Sequence, residues 1–574
     1  MNFESFANEF LYNLRKDDKQ AISILNNNIK IVQEYLGDDA NPKTMDHFVQ
    51  DLVQIVIQTH KGKFGVIESA LKHQAMANVY YHFKNSDVLI KAFQIENKHA
   101  IKWLFSMQVS PYVQDDDGRN ALMFAAQNSQ WNNYIEQFAT DTKCINQVDK
   151  YGRNALFYAL NNIGGLMELM KYDIDINHQD CEGNNVLLYC CKNDIYNSLK
   201  FLVNNNVDVN AIDHEERTIA MYLAIKGKHS FISILHSKGC DFNYMNSKGE
   251  TVLSLLLQQM YGPESDKNGM YTMYVRTIIA LVFTDCNFNV PVDEDENTPL
   301  MVFLLVNDLD TFRFVVKFNK TVDLSIKNRN GENATSLFIK NKKGNLFHKV
   351  IYHPTFDLKY VDPIYRNNIL MLTAITHSIF IPKILEYKPG LLNEVNIKGE
   401  NALIVACKAN KNDSVITLMN QCSNYSLDIN CQDCLGNTAL HYAVAHQNPV
   451  LVYHLMQHGA DSIRKNYEGK SAFDLAMTLG DPHVLEALHG RMTTDLLKKI
   501  TPLYQGEDKR NPMIAREVEE YLYSCGSITS YSNFEMTKSM LKTEKSHYQS
   551  KENEIVKDYS INDLVLLGLF FTVI

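Results

Sequence analysis

One short phrase recurs through most of the chain: Asp or Asn, two residues, Gly, one residue, Asn or Thr, a small or apolar residue, then Leu. It stands as Asp115-Asp116-Asp117-Gly118-Arg119-Asn120-Ala121-Leu122. It returns from Asp149 with Gly152 and Asn154, and from Asp180 with Gly183 and Asn185. A weaker copy opens at Asp213 with Thr218, and others open at Asn246, Asp293, Asn328, about Pro363, Asn396, Asp433 and Asn466. Successive starts lie 34, 31, 33, 33, 47, 35, 35, 33, 37 and 33 residues apart. A period this short constrains the fold more than composition does. One unit cannot bury its own apolar face, so neighbours must stack and share a core.

Each position of the phrase has a physical task. The Asp or Asn and the Gly build a tight turn, the Gly being free to take positive φ. The following Asn or Thr caps a helix. Leu, with Ala three or four residues on, forms a narrow apolar stripe where two helices pack closely. A second helix, such as that around Val450 to Met456, supplies the bulkier face. The fullest copy is Asp433-Cys434-Leu435-Gly436-Asn437-Thr438-Ala439-Leu440-His441-Tyr442-Ala443, closing on His458-Gly459-Ala460-Asp461. This pattern resembles the ankyrin repeat. The resemblance implies an all-α solenoid of about eleven repeats over residues 106–490, whose work is to bind other proteins. His441 is expected to hold its turn through hydrogen bonds. Cys431 and Cys434 have CxxC spacing, but one pair supplies only two of the four ligands a zinc site needs. The 47-residue interval carries an insertion near residues 261–274, rich in turn residues and charge, which reads as an exposed loop.

Residues 1–105 lack the phrase and read as helices, with a break at Gly37-Asp38-Asp39-Ala40-Asn41-Pro42. Asp18 to Asn26, then Asp46-His47-Phe48-Val49-Gln50-Asp51-Leu52, then Tyr80-Tyr81-His82-Phe83-Lys84 follow one another in an order that resembles the Vps-nine (vacuolar protein sorting) domain. That family exchanges guanine nucleotides on endosomal Rab GTPases. Its Asp displaces Mg²⁺ and engages the lysine that holds the phosphates, so the resemblance implies Asp46 as the exchange residue and Tyr81 as a GTPase contact. Gln50 and Lys84 stand where the family has Pro and Thr. Asp46 can instead be read as the N-cap of a helix beginning before Phe48.

Beyond about residue 491 the phrase stops. Ser527-Ile528-Thr529-Ser530-Tyr531-Ser532-Asn533-Phe534 resembles the turn into the first helix of a phox-homology (PX) domain, with Thr529 and Ser530 in the places of its basic residues. A small α+β fragment, or a partly disordered tail, is therefore expected over residues 491–574. Its apolar last residues, 564–574, read as the edge of something longer. The order of the three segments is similar to a fungal group related to the Varp type. It implies an endosomal scaffold that couples exchange on a Rab-five-type GTPase to sorting-nexin or other trafficking partners. A non-enzymatic ankyrin adaptor is the alternative.

Charge and composition narrow the classes further. The net charge is −10 with no long basic block, which argues against nucleic acid as a partner. Eleven cysteines, an odd number and many within apolar helical patterns, suit reduced thiols better than a disulfide framework. No apolar run reaches the ~20 residues a membrane span requires, so membrane association is expected to be peripheral at most. No phosphate loop, GxSxG elbow or HExxH motif occurs, and no cofactor or metal is expected.

Overall fold

The computed structural model describes residues 2–38, 40–59, 62–139, 142–262, 270–341, 349–422, 424–493 and 498–499. Among these the fold is all-α, as the phrase predicts: helices joined by tight turns, with strand pairing reduced to isolated bridges such as Gln114 to Asn120 and Lys465 to Ser471.

The turn is built by the phrase itself. The carboxylate of Asp149 accepts from the backbone N–H groups of Tyr151 and Arg153, at 2.9 and 2.8 Å. Asp433 accepts likewise from Leu435 and Asn437, at 2.9 and 2.8 Å. Asn does the same work at Asn396, through Lys398 and Glu400 at 2.9 and 3.0 Å. Gly436 sits at φ 76°, and a Cβ placed there would lie 2.7 Å from the backbone nitrogen of Tyr467 in the next turn. Two causes thus select glycine: the left-handed backbone and the close approach of the neighbouring repeat. The eighth copy is longer by one residue. Its anchor is Asp362, not Pro363, accepting from Ile364 and Tyr365 at 3.0 and 2.9 Å, and Arg366 takes the left-handed position at φ 57°.

Capping joins repeats as well as starting helices. The Oδ1 of Asn401 accepts from Ile404 N at 2.9 Å, while its Nδ2 donates to the Asp428 carbonyl 27 residues on, at 3.0 Å. Asn120 does both tasks too, through Met123 and Cys144. Buried asparagine, with an acceptor and two donors on one side chain, suits this double duty better than Ser or Asp.

The chain forms two compact units: Met1–Lys226 with Phe231–Asp241, and Gly227–Ser230 with the described residues from Phe242 onward. In the first unit, Phe6, Phe10 and Phe48 stack at ring separations of 5.5 and 6.1 Å in the core of the first helices. Helices Val88–Gln94 and Lys98–Ser106 form a hairpin whose first helix packs on Ala121–Gln127. Glu96 between them has φ 57°, the geometry Asp194 (φ 60°) gives the later hairpin Val186–Lys192 and Tyr196–Val203. A helix pair of repeat type therefore precedes the first phrase.

In the second unit, helices Val252–Tyr261 and Tyr271–Val282 flank the insertion, whose residues 263–269 lie outside the described residues. Tyr261 and Tyr271 both donate to Oδ2 of Asp308, at 2.6 and 2.8 Å, which ties the two ends of the insertion to the next repeat. The PX-like reading falls almost wholly outside the described residues. Among the described residues no helix is long and apolar enough to cross a membrane, and the ten described cysteines are free thiols.

Candidate protein-binding surface

Turn tips are the parts of each repeat that the shared core leaves outside. In the second unit, neighbouring tips are joined by backbone hydrogen bonds: Ile397 N to Tyr365 O at 3.1 Å, Cys434 N to Lys398 O at 2.7 Å, and Tyr467 N to Leu435 O at 3.1 Å. The last four tips are thereby held as one row. Their outward residues are apolar: Ile364, Ile397, Leu435 and Tyr467 are 56, 60, 58 and 76% exposed. Val395 and Ile463, on the approaches to the same turns, are exposed too. Single exposed apolar residues are ordinary on a surface, but one on each of four hydrogen-bonded neighbours makes a contiguous strip of the kind that marks interaction sites. The tips of the first unit are more polar, carrying Asp117, Lys150, Glu182 and His214, with Tyr151 exposed among them.

Beneath the row lies a buried charged network. Lys408 donates to Oε1 of Glu400 at 2.9 Å, both side chains being almost wholly enclosed. The other Glu400 oxygen accepts from Asn396 at 2.8 Å, and Asn396 also donates to Oδ1 of Asn367 in the preceding turn at 2.9 Å. The Lys408 ammonium lies 5.3 Å from the ring centre of Tyr442, whose hydroxyl donates to Asp433 at 2.5 Å. Three successive turns are thus linked through side chains that water barely reaches. A Tyr nine residues after the turn Asp recurs: Tyr158 donates to Asp149 and Tyr222 to Asp213, each at 2.6 Å. Burial pushes the Asp149 carboxyl up, but the hydrogen bonds from Tyr158 and Arg153 outweigh it and hold the group below its ordinary range. Asp213 is held low in the same way: burial raises it, and Lys192 and Tyr222 outweigh that effect.

His441 holds its turn as expected. Its Nδ1 accepts from Thr438 N at 3.1 Å, and its Nε2 faces the Lys470 carbonyl at 3.2 Å, assigning the neutral tautomer protonated at Nε2. Desolvation lowers its pKa. Cys431 is half-buried, with its thiol toward the Gly399 carbonyl, and Cys434 is exposed on a turn tip.

Asp46 lies on helix Pro42–Gln58 and Tyr81 on helix Ala77–Lys84; both side chains are exposed and the two helices pack together. The N-cap reading of Asp46 is corrected, because Asn41 caps that helix by accepting from Lys43 N and Pro42 opens its first turn. Pro at the first helical position forfeits no hydrogen bond, which sets the start four residues upstream of Asp46. Gln50 accepts from Lys91 at 2.7 Å.

The ankyrin-repeat family model matches in three copies, over residues 88–180, 161–246 and 370–466, and the turn anchored by Asn328, outside those spans, has the same hydrogen-bond geometry. The protein carries ankyrin repeats, and its fold class is the all-α ankyrin solenoid. An ankyrin repeat protein of Acanthamoeba polyphaga mimivirus is 33% identical over 84 residues, 15% of this chain and 12% of that protein. Ankyrin repeat and SAM domain-containing protein 6 of Rattus norvegicus is 34% identical over 103 residues, 18% of this chain and 11% of that protein. The match thus spans about an eighth or less of each relative. Among solved structures, the ankyrin repeat domain of Bcl-3 aligns with 42% of this chain and 99% of its own, at 20% identity and a TM-score of 0.32. A complex of the predatory endopeptidase Bd0816 from Bdellovibrio bacteriovorus with immunity protein Bd3460 aligns with 37% of this chain and 99% of its own, at 20% identity and a TM-score of 0.29.

Proposed function

We propose that this protein is a scaffold that grips a partner protein through the apolar row Ile364, Ile397, Leu435 and Tyr467. The observation that carries the reading is four exposed apolar residues on consecutive turns already fixed by backbone hydrogen bonds and a buried network beneath them. A surface ordered before binding loses little conformational entropy when a partner docks. The test compares the full chain with a variant carrying serine at all four tips, each used to capture proteins from cell extract. Loss of a defined set of captured proteins by the variant supports the reading; an unchanged set rejects it.

A second reading adds exchange activity toward an endosomal Rab-five-type GTPase, with sorting-nexin or other trafficking proteins held on the repeats. It rests on the Vps-nine resemblance and on the exposure of Asp46 and Tyr81 on helices that pack together. Nucleotide release from such a GTPase, measured with wild type and Asp46→Ala, decides it. Release that survives the substitution, or no release at all, removes this reading and leaves the first standing.

A further inference from the structure

The second helices of the repeats form a layer of their own, apart from the turn tips. In the second unit Tyr271–Val282 packs on Leu309–Phe318, and further along Ile381–Tyr387 packs on Asn412–Gln421. Three phenylalanines meet on the first of these pairs. The Phe314 and Phe318 ring centres lie 4.6 Å apart, and Phe283 lies 6.2 and 6.1 Å from them. Phe283 is 39% exposed and the other two are half-buried. At these separations the rings touch one another, so they offer solvent an apolar patch with no slot between them for a partner's side chain.

Cations are interleaved with these rings. Over residues 271–285 and 309–320, Arg276, Arg313, Lys317 and Lys320 are exposed, against the exposed acids Asp285 and Asp310. The Lys317 ammonium lies 4.8 Å from the Phe318 ring centre. Residues 349–352 and 378–388 repeat the arrangement. Lys383 lies over two exposed rings, Tyr352 and Tyr387, at 5.0 and 4.7 Å, and Ile379 is exposed on the same segment. Lys349 and Lys388 add charge there, and Glu386, paired with Lys383 at 2.9 Å, is the acid. The whole chain carries a net charge of −10, so an anionic surface repels most of it and meets this layer by preference. A protein partner anchors its side chains in pockets, whereas aromatic rings among Lys and Arg suit a lipid interface: rings enter the headgroup boundary while long cationic stems reach the phosphates. We infer that the second-helix layer of the second unit docks on an anionic lipid surface. This contact is independent of the tip row.

The probe is vesicle sedimentation of the full chain, with vesicles of phosphatidylcholine alone or with about 30% phosphatidylserine. Binding is expected to be about tenfold or more tighter to the anionic vesicles and to weaken as salt is added. Each cation removed near such a surface weakens binding about fivefold, so Lys317→Glu with Lys320→Glu should weaken it about 25-fold or more. Phe283→Ser should weaken it about threefold or more through lost apolar contact. Lys102→Glu with Lys200→Glu, which reverses two exposed lysines of the first unit, should leave it unchanged. All five positions are exposed, and unchanged circular dichroism melts confirm folding. Equal binding to both vesicles, or none to either, overturns the inference, as does indifference to the Lys317 and Lys320 reversal or to Phe283→Ser. Equal weakening by the first-unit reversal also overturns it, because attraction is then spread over the chain. A chain that ignores vesicles but binds soluble polyglutamate through Lys317 and Lys320 has an acidic protein as its partner, and the lipid inference falls.

Discussion

Replacing Lys408 with Met tests whether the buried network holds the tip row. Met is close to Lys in length and apolar, so it fills the site without a gap. What it removes is the partner of a Glu400 carboxylate that water does not reach, leaving that group a single hydrogen bond from Asn396. Breaking a buried ion pair from one side costs about 3–5 kcal/mol, because the remaining charge stays desolvated. A repeat array opens locally, so the loss falls on the ninth repeat and its neighbours and not evenly on the chain. Cys407, adjacent to Lys408 and wholly buried, reports that opening, and burial pushes its thiol well above the ordinary range. At a tenfold change per 1.4 kcal/mol, Cys407 labelling by a thiol reagent under native conditions should rise roughly 150- to 4,000-fold in Lys408→Met. Peptide mapping by mass spectrometry separates Cys407 from the other thiols. The double variant Glu400→Gln with Lys408→Met removes both charges and should recover most of the protection. A single variant whose labelling stays within threefold of wild type, or a double variant that opens as readily as the single, refutes a role for the Glu400–Lys408 pair in holding the ninth repeat.

Other consequences can be measured directly. Gly436→Ala places a Cβ against Tyr467 N in a left-handed backbone and should destabilise the second unit by about 2 kcal/mol or more, read as a lower urea midpoint. Gly436→Asn tolerates positive φ better but meets the same backbone contact, so its midpoint should fall between those of wild type and Gly436→Ala if φ dominates. Desolvation lowers the pKa of His441, His377 and His353 in the folded chain. The unfolded chain then binds more protons below the ordinary histidine value of ~6.5, so their contribution is full above that pH and is lost as pH falls through the folded values. The urea midpoint should drop between pH 7.5 and 5.5, and a flat profile would contradict the neutral tautomer assigned to His441. Asp149 and Asp213, held low by their partners, add a second loss that begins as pH falls through the ordinary Asp range near ~4 and is complete below their folded values.

Local features were legible in the sequence because they depend on residues a few positions apart. The turn Asp or Asn, the glycine and the capping Asn act within one phrase, so the phrase specifies most turns locally, the longer eighth turn anchored by Asp362 excepted. The period then fixed the stacking, since no unit could bury its face alone. Legibility ended where partners come from elsewhere in the chain. The hairpin over residues 88–106 carries no phrase; its repeat character shows in its packing on Ala121–Gln127 and in the family match that begins at residue 88. The start of the helix holding Asp46 depended on Asn41 and Pro42, which in sequence look like part of a break.

The tip row shows the same division. That residues one or two positions after the turn anchor point outward follows from the phrase, and Ile364, Ile397, Leu435 and Tyr467 could have been picked out by that register alone. That they stand side by side is a tertiary fact, because they are more than 30 residues apart and meet only through hydrogen bonds between turns. The burial of Glu400 and Lys408 is tertiary as well: eight residues apart, both look like ordinary surface charges until the neighbouring repeats enclose them. Short-range hydrogen bonding and periodicity are written along the chain, whereas burial and adjacency arise only when the repeats close over one another and water is excluded.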